Sequence, residues 1–240
     1  MKFIKLFKEQ TAFDKAKSTL NRPNVSLVKE NNNVYLLKKK NANGYSYVDL
    51  GLPSDTLWAT MNVGATSETD YGNYFMWGST EPNTADECTW VNAPFNNGSS
   101  DYDSTYFNSV KDTVCPNGVL AKKYDTAAQI MGGDWRMPTK AEFDELLSGT
   151  TNEWIANYNG TGINGRKFIS KADTSKYIFI PAAGDYNDSS VNNVGSLGNV
   201  WSSSLNASSP FRAWGLNLSS GYCGVNSRDR YYGWSVRGVL

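Results

Sequence analysis

Between Trp214 and Ser219 apolar side chains alternate with small or polar ones: Trp214, Leu216 and Leu218 against Gly215, Asn217 and Ser219. Side chains along a strand point to opposite sides in turn, so this pattern predicts a strand with one face on a core and one in solvent. Tyr177-Ile-Phe-Ile180, bounded by Pro181, lacks alternation and predicts a strand buried on both faces in the centre of a sheet. Helical signals occur at Asp125 to Met131 and at Thr139 to Ser148. The second opens with Pro138, with Thr139 as N-cap and Glu142 three residues on, the arrangement of a capping box. From Glu81 to Gly118 there is little periodicity, and a long surface loop is expected.

Residues 1–44 differ from the rest. Thr11 to Leu20 has helical composition, and Arg22-Pro23-Asn24 ends it. Val25-Ser-Leu-Val28 and Val34-Tyr-Leu-Leu37 flank Asn31-Asn-Asn33, which predicts a short hairpin with an asparagine turn. Asn41-Ala-Asn-Gly44 then reads as a linker. A helix and one hairpin make too small a core to stand alone, so this module is expected to dock on a partner or on itself. Residues 45–240 are rich in Gly, Asn, Ser, Trp and Tyr and long enough to bury a core. The fold class expected is α+β, with irregular short strands, two helices and long loops, preceded by the small helix/hairpin module.

The tail, Trp201 to Leu240, interleaves two kinds of position, with the variable ones expected at about 205–234. Trp201, Leu205, Trp214, Leu216, Leu218, Val225 and Val236 look like fold. Phe211, Arg212, Gly215, Asn217, Ser219, Tyr222, Gly224, Asn226, Ser227, Asp229, Tyr231 and Tyr232 are chemically miscellaneous. Every residue of that second set has a codon ending in a pyrimidine, and is reached from an asparagine codon by changing its two adenines. Adenine-directed mutagenesis leaves such a trace. The tyrosines, with Arg212, Asp229 and Trp234, have the composition of a binding surface, since aromatic rings give contact area at low entropy cost and small polar residues adapt. Trp234 fails the codon test, and both a contact role and a fixed core or rim role stay open for it.

Charge narrows the function classes. Lys and Arg total 23 and Asp and Glu total 23, so no global pull toward nucleic acid or anionic lipid is expected. The chain has no histidine, which removes the commonest general base and zinc ligand. Its three cysteines, Cys88, Cys115 and Cys223, are far apart and form no CxxC pair; they read as free thiols, or as one bridge and an orphan. Cys223 sits among the variable positions as an incidental product of variation. Arg136, Arg230 and Arg237 are expected to be structural, pairing with buried carboxylates. No segment has the length and apolarity of a secretory leader or a membrane span, so no membrane insertion is expected, and action outside a cell would imply delivery by other means. Asp185, Asn187, Asp188 and Asn192 can supply oxygen ligands to calcium, or simply form turns. Gly132-Gly-Asp-Trp-Arg-Met-Pro138 lacks the Lys-Ser/Thr of a phosphate loop, and no other cofactor is indicated.

Several ordered motifs carry a family likeness: Tyr47-Val-Asp-Leu-Gly-Leu-Pro-Ser54, Leu57-Trp-Ala-Thr60, Asn62-Val-Gly-Ala65, Tyr71-Gly-Asn-Tyr-Phe-Met-Trp-Gly78, Gly132 to Thr139, Phe179-Ile-Pro-Ala-Ala-Gly184, Trp201-Ser-Ser-Ser204 and Ser235-Val-Arg237. Together they resemble the paralogous surface domain of gut Bacteroidetes and their phages, which is similar to the C-type-lectin-like fold of formylglycine-generating enzymes. The tail resembles the variable repeat of a diversity-generating retroelement target, whose gene end is recopied with errors at adenines. The resemblance implies a phage tail receptor-binding protein, carried on the virion and recognising a host cell-surface protein or glycan. Residues 1–44 resemble N-terminal modules of tail proteins, which implies attachment to virion or tail proteins and a homo-oligomer, by analogy a trimer. A fixed-sequence lectin-like adhesin on a bacterial surface is the alternative. A formylglycine-generating oxidase is the remote one, because such enzymes use a pair of cysteines late in the domain and only Cys223 lies there; no enzyme activity is expected.

Overall fold

The computed structural model describes residues 5–7, 25–30, 33–38 and 41–240. The chain falls into two compact units, Met1–Tyr47 and Val48–Leu240. In the first, β1 (Lys5–Phe7), β2 (Val25–Glu30) and β3 (Asn33–Lys38) form an antiparallel sheet in the order β1-β3-β2. The β2–β3 pairing runs from Val25 opposite Lys38 to Glu30 opposite Asn33, which bears out the hairpin. The helix expected at Thr11 to Leu20 lies outside the described residues. The expected linker is instead a second hairpin: β4 (Asn41–Ala42) pairs with β5 (Tyr45–Asp49). Asn43 and Gly44 both have positive φ, 52° and 86°. Asn-Gly accommodates that conformation cheaply, which is why the pair makes two-residue turns.

The second unit is mixed α/β, with few helices and several small antiparallel sheets. β6 (Leu57–Asn62) is followed by α1 (Ser104–Val114), α2 (Thr126–Met131) and α3 (Lys140–Gly149). Among the described residues there are thus three α-helices and not the two expected. The extra one, α1, lies in the stretch read as loop. Asp103 caps it through its carboxylate, and it buries Phe107 and Val114, seven residues apart on one face. The capping box on α3 forms as expected, with Thr139 accepting from the Glu142 amide and Glu142 bonding back.

After α3 come β7 (Thr150–Ile155), β8 (Gly165–Ser170) and β9 (Tyr177–Pro181), an antiparallel sheet in that order. Burial of β9 is as expected, but it is an edge and not the centre. Its outer side is partly closed by Arg237, whose guanidinium donates to the Phe179 carbonyl at 3.0 Å. The hairpin β10 (Asp185–Asn187) and β11 (Ser190–Asn192) follows, and then the tail sheet of β12 (Leu197–Leu205), β13 (Arg212–Ser219) and β14 (Cys223–Asp229). The last strand, β15 (Arg237–Val239), returns to pair with β6. The main core joins these pieces: Phe143 and Leu146 of α3 pack with Phe168, Ile178 and Ile180 of the β7–β9 sheet and with Val200, Leu216 and Leu218 of the tail sheet.

Candidate ligand-binding face

The tail sheet is antiparallel with β13 in the middle and β14 at the edge. Residues directly opposite one another share a face. One face therefore carries Arg212 with Asp229, Trp214 with Ser227, Leu216 with Val225 and Leu218 with Cys223. The other carries Ala213 with Arg228, Gly215 with Asn226 and Asn217 with Gly224. Alternation along β13 is thus as expected, but the candidate residues do not share one face. Arg212, Ser227 and Asp229 are on the core side, beyond the point where Leu216 and Leu218 enter the core.

The second face is not simply open. Trp234 lies over Gly215 at 1% exposure, stacked on Trp201 with ring centroids 4.0 Å apart. Trp201 is fixed in turn by its indole N–H, which donates to the Phe75 carbonyl at 2.9 Å. Two candidates therefore differ from the exposed contact positions expected: Gly215 and Trp234 are buried against each other. Asn217 is half-buried, its amide donating to Asn199 Oδ1. Beyond this covered strip, on β14, the same face opens. No residue of β14 is fully buried, and Asn226 and Arg228 are exposed.

Around that opening the polar groups are held by one another. The Asn226 amide donates to the Tyr222 hydroxyl at 3.0 Å, and Tyr222 is 48% exposed at the β13–β14 turn. The Arg228 guanidinium lies 5.4 Å from the centre of the Tyr232 ring. The Tyr232 hydroxyl accepts from the Asn187 amide of β10 at 2.9 Å. Tyr231 packs on Tyr232 at 4.8 Å and on Trp90 at 5.1 Å, and burial raises its phenol pKa. Gly224 and Ser219 are half-buried along the turn, where the Ser219 amide donates to the Tyr222 carbonyl at 2.7 Å.

The core-side candidates form a separate group. Arg212 Nε donates to Asp229 Oδ1 at 2.8 Å, and the same guanidinium lies 5.0 Å from the Phe211 ring. Ser227 accepts from the Asn206 amide at 3.0 Å, and the Lys140 ammonium sits 5.2 Å from the Trp214 ring. Cys223 packs against the main core, and burial pushes its thiol up to about 11. Cys88 is pushed up to about 12 by burial and Cys115 is raised by the same cause; all three cysteines are free.

Two buried arginines pin the ends of this region and, among the described residues, make no ion pair with a carboxylate, which corrects the pairing expected of them. Arg230 donates to the Pro210 and Pro94 carbonyls at 2.9 and 3.1 Å and is ringed by Phe107, Tyr102 and Trp90 at 4.1, 5.5 and 5.7 Å. Burial lowers its pKa to about 10. Arg237 donates to Asn62 Oδ1 and to the Ala59 and Phe179 carbonyls, each at 3.0 Å, and burial lowers it to about 9. Arg136 alone of the three meets the expectation, with a two-pronged bond to Glu142.

The four oxygen-bearing residues considered for calcium are used otherwise at two positions. Asp188, with Ser189, makes the β10–β11 turn at φ 44° and 65°, and Asn187 holds Tyr232. Among the described residues no three His, Cys, Asp or Glu side chains come together as a metal site. A cavity of about 350 Å³ lined by Lys122, Asp125, Trp135, Arg136 and Thr139 includes none of the tail candidates.

Arg228 belongs to this face but is missing from the sequence candidates; Asn187, considered there only for calcium, braces Tyr232, and the buried Asn199 braces Asn217. Arg228 meets the same codon criterion as Arg212, and its spacing of two from Asn226 puts it on that residue's face. Nothing local in the sequence links Asn187 to Tyr232. No known protein family, characterised protein or solved structure matches this chain.

Proposed function

We propose that this chain is a ligand-binding protein, not an enzyme, whose recognition surface is the open part of the tail sheet around β14. The reading carries forward the family likeness of the sequence: a C-type-lectin-like domain whose tail a retroelement diversifies, borne on a phage tail, with the N-terminal unit attaching it or joining copies into a trimer. Its ligand is a protein or glycan of the host surface. Weak single contacts add up when many copies act together.

One observation supports it above the rest. β14 is an edge strand without a buried residue, while Arg230 and Trp234, just after it, are fully buried. An edge strand anchored in this way tolerates substitution, because surface changes usually cost within about 0.5 kcal/mol. The absence of histidine and the raised thiol pKa values favour binding over the oxidase, which needs reactive cysteines.

Deep sequencing of the gene's 3′ end from a growing population tests the reading. Substitutions are expected at Tyr222, Asn226 and Tyr232, with Leu216, Gly215 and Trp234 unchanged. An invariant tail beside an active reverse transcriptase refutes diversification and leaves a fixed lectin-like adhesin.

A further inference from the structure

The described residues contain six arginines: Arg136, Arg166, Arg212, Arg228, Arg230 and Arg237. Five have committed guanidinium groups. Arg136 and Arg212 bond carboxylates, Arg166 bonds Asn152 Oδ1 and the Ser219 carbonyl, and Arg230 and Arg237 bond backbone carbonyls among their partners. Arg228 differs: it is exposed, and among the described residues its guanidinium makes neither a hydrogen bond nor an ion pair. It projects from a strand whose backbone is paired opposite Ala213, and its guanidinium carbon lies 5.4 Å from the centre of the Tyr232 ring.

From this geometry we infer that the recognition face takes an acidic sugar, with the carboxylate seated on the Arg228 fork and the sugar ring against the neighbouring tyrosines. The inference rests on the binding reading above. A guanidinium presents paired, coplanar donors that match the two oxygens of a carboxylate, and such bidentate bonds are about twice as strong as neutral ones. The acids around Arg228 do not occupy the fork. Asp185 is buried, accepts from Asn199 at 3.4 Å, and feels Arg228 through space without bonding it. Asp229 points to the opposite face, where Arg212 holds it. Asp188 lies in the hairpin turn, close enough for its charge to act on Tyr231.

The groups beside Arg228 suit a pyranose. The carbon-bound hydrogens of a sugar ring make an apolar face that packs on a phenol, and Tyr222 and Tyr232 flank Arg228 and Asn226 on this surface. Hydroxyls need donors and acceptors in fixed places, which the Asn226 side chain and the tyrosine hydroxyls supply. A surface that sets the uncommitted guanidinium of Arg228 beside rings and amides therefore selects a uronic or sialic type of unit over a neutral one.

The test titrates the full chain with methyl glucuronide, its methyl ester and methyl glucoside, following backbone amide resonances. Methyl glucuronide is expected to shift Asn226, Arg228 and Tyr232, and to bind about tenfold or more tightly than either neutral probe. Arg228→Ala and Arg228→Lys are each expected to lose about tenfold or more, with unchanged melting temperature, while Lys171→Ala keeps the affinity. Equal binding of acid and glucoside at this face overturns the inference and leaves the binding reading intact. Shifts confined to other residues, or full affinity in Arg228→Ala, overturn it as well. A diversified tail with no response to any of the three sugars also sinks it. An invariant tail together with Arg228-dependent glucuronide binding supports it while removing the diversification reading.

Discussion

Substituting Gly215 by alanine places one methyl group where the covered half of the tail sheet has no room. A Cβ built there lies 2.6 Å from the Trp234 ring and 2.6 Å from the Val200 carbonyl oxygen. Neither neighbour can yield easily. The carbonyl belongs to the central ladder of β12, and the indole is stacked on Trp201 and fully buried. Overpacking of this kind costs about 1–3 kcal/mol, and two rigid neighbours put Gly215→Ala near the upper end. Alanine recovers some of this, about 0.4–1 kcal/mol, by restricting the unfolded chain. The net loss is about 2 kcal/mol, which for a unit of this size lowers the melting temperature by about 4–8 °C. Gly224→Ala is the control. Its new Cβ meets the Tyr222 hydroxyl, the far end of an exposed side chain that can swing away, so stability should stay within about 0.5 kcal/mol. Urea and thermal unfolding of the two variants decide the matter. A Gly215→Ala chain as stable as the parent refutes the steric reasoning and returns Gly215 to the list of positions free to vary.

Burial pushes Glu142 up, but the Arg136 bond and the Thr139 cap outweigh it and hold its carboxyl down to about 2. Its contribution is present above the ordinary carboxylate value of about 4.5 and fades as pH falls through about 2. With Arg136 43% exposed, about 2 kcal/mol is expected, read as the flattening of the acid limb of a stability profile in Glu142→Gln. Arg237→Met strands three acceptors in a fully buried site, so a loss of at least about 3 kcal/mol, seen as a melting temperature lower by about 6 °C or more, is expected. The raised thiols predict iodoacetamide labelling of the native chain at pH 8 at least about a hundredfold slower than of the unfolded chain, and rapid native labelling of Cys223 is the contrary result.

What was legible in the sequence was local. Thr139 and Glu142 announce α3 because a capping box is a contract between residues three apart. Asn43-Gly44 held the signal of a two-residue turn, and the hairpin there follows from that pair alone. Helix α1 was harder, since Ser104 to Val114 is built largely from poor helix formers and is stabilised by burying Phe107 and Val114, the first of them against Arg230, far along the chain. The tail shows where local reading stops. Alternation assigned Leu216 and Gly215 to opposite faces correctly, but the identity of what covers each face lies elsewhere: Trp234 is nineteen positions from Gly215 and folds back over it. For the same reason the single expected site divides into Arg212 with Asp229 on one side and Asn226 with Arg228 on the other.

That division has a mechanical consequence for a surface that must change. β14 leaves the sheet at Asp229, and the next residue, Arg230, is clamped by two backbone carbonyls and a cage of rings. Trp234 and Arg237 follow with fixed seats of their own. At its other end β14 begins one residue after Tyr222, and Cys223 already packs on the core. The strand is thus held at one end by the packing of Cys223 on the main core and at the other by the fully buried Arg230. Along its middle the register rests on backbone hydrogen bonds, which any residue but proline can make, while the side chains of Asn226 and Arg228 lie on the exposed face. Side chains at 226 and 228 can therefore change chemistry without changing register, whereas the same change at 215 or 234 breaks the clamp. The capacity to vary belongs to the solvent side of an edge strand and ends where the second tryptophan begins.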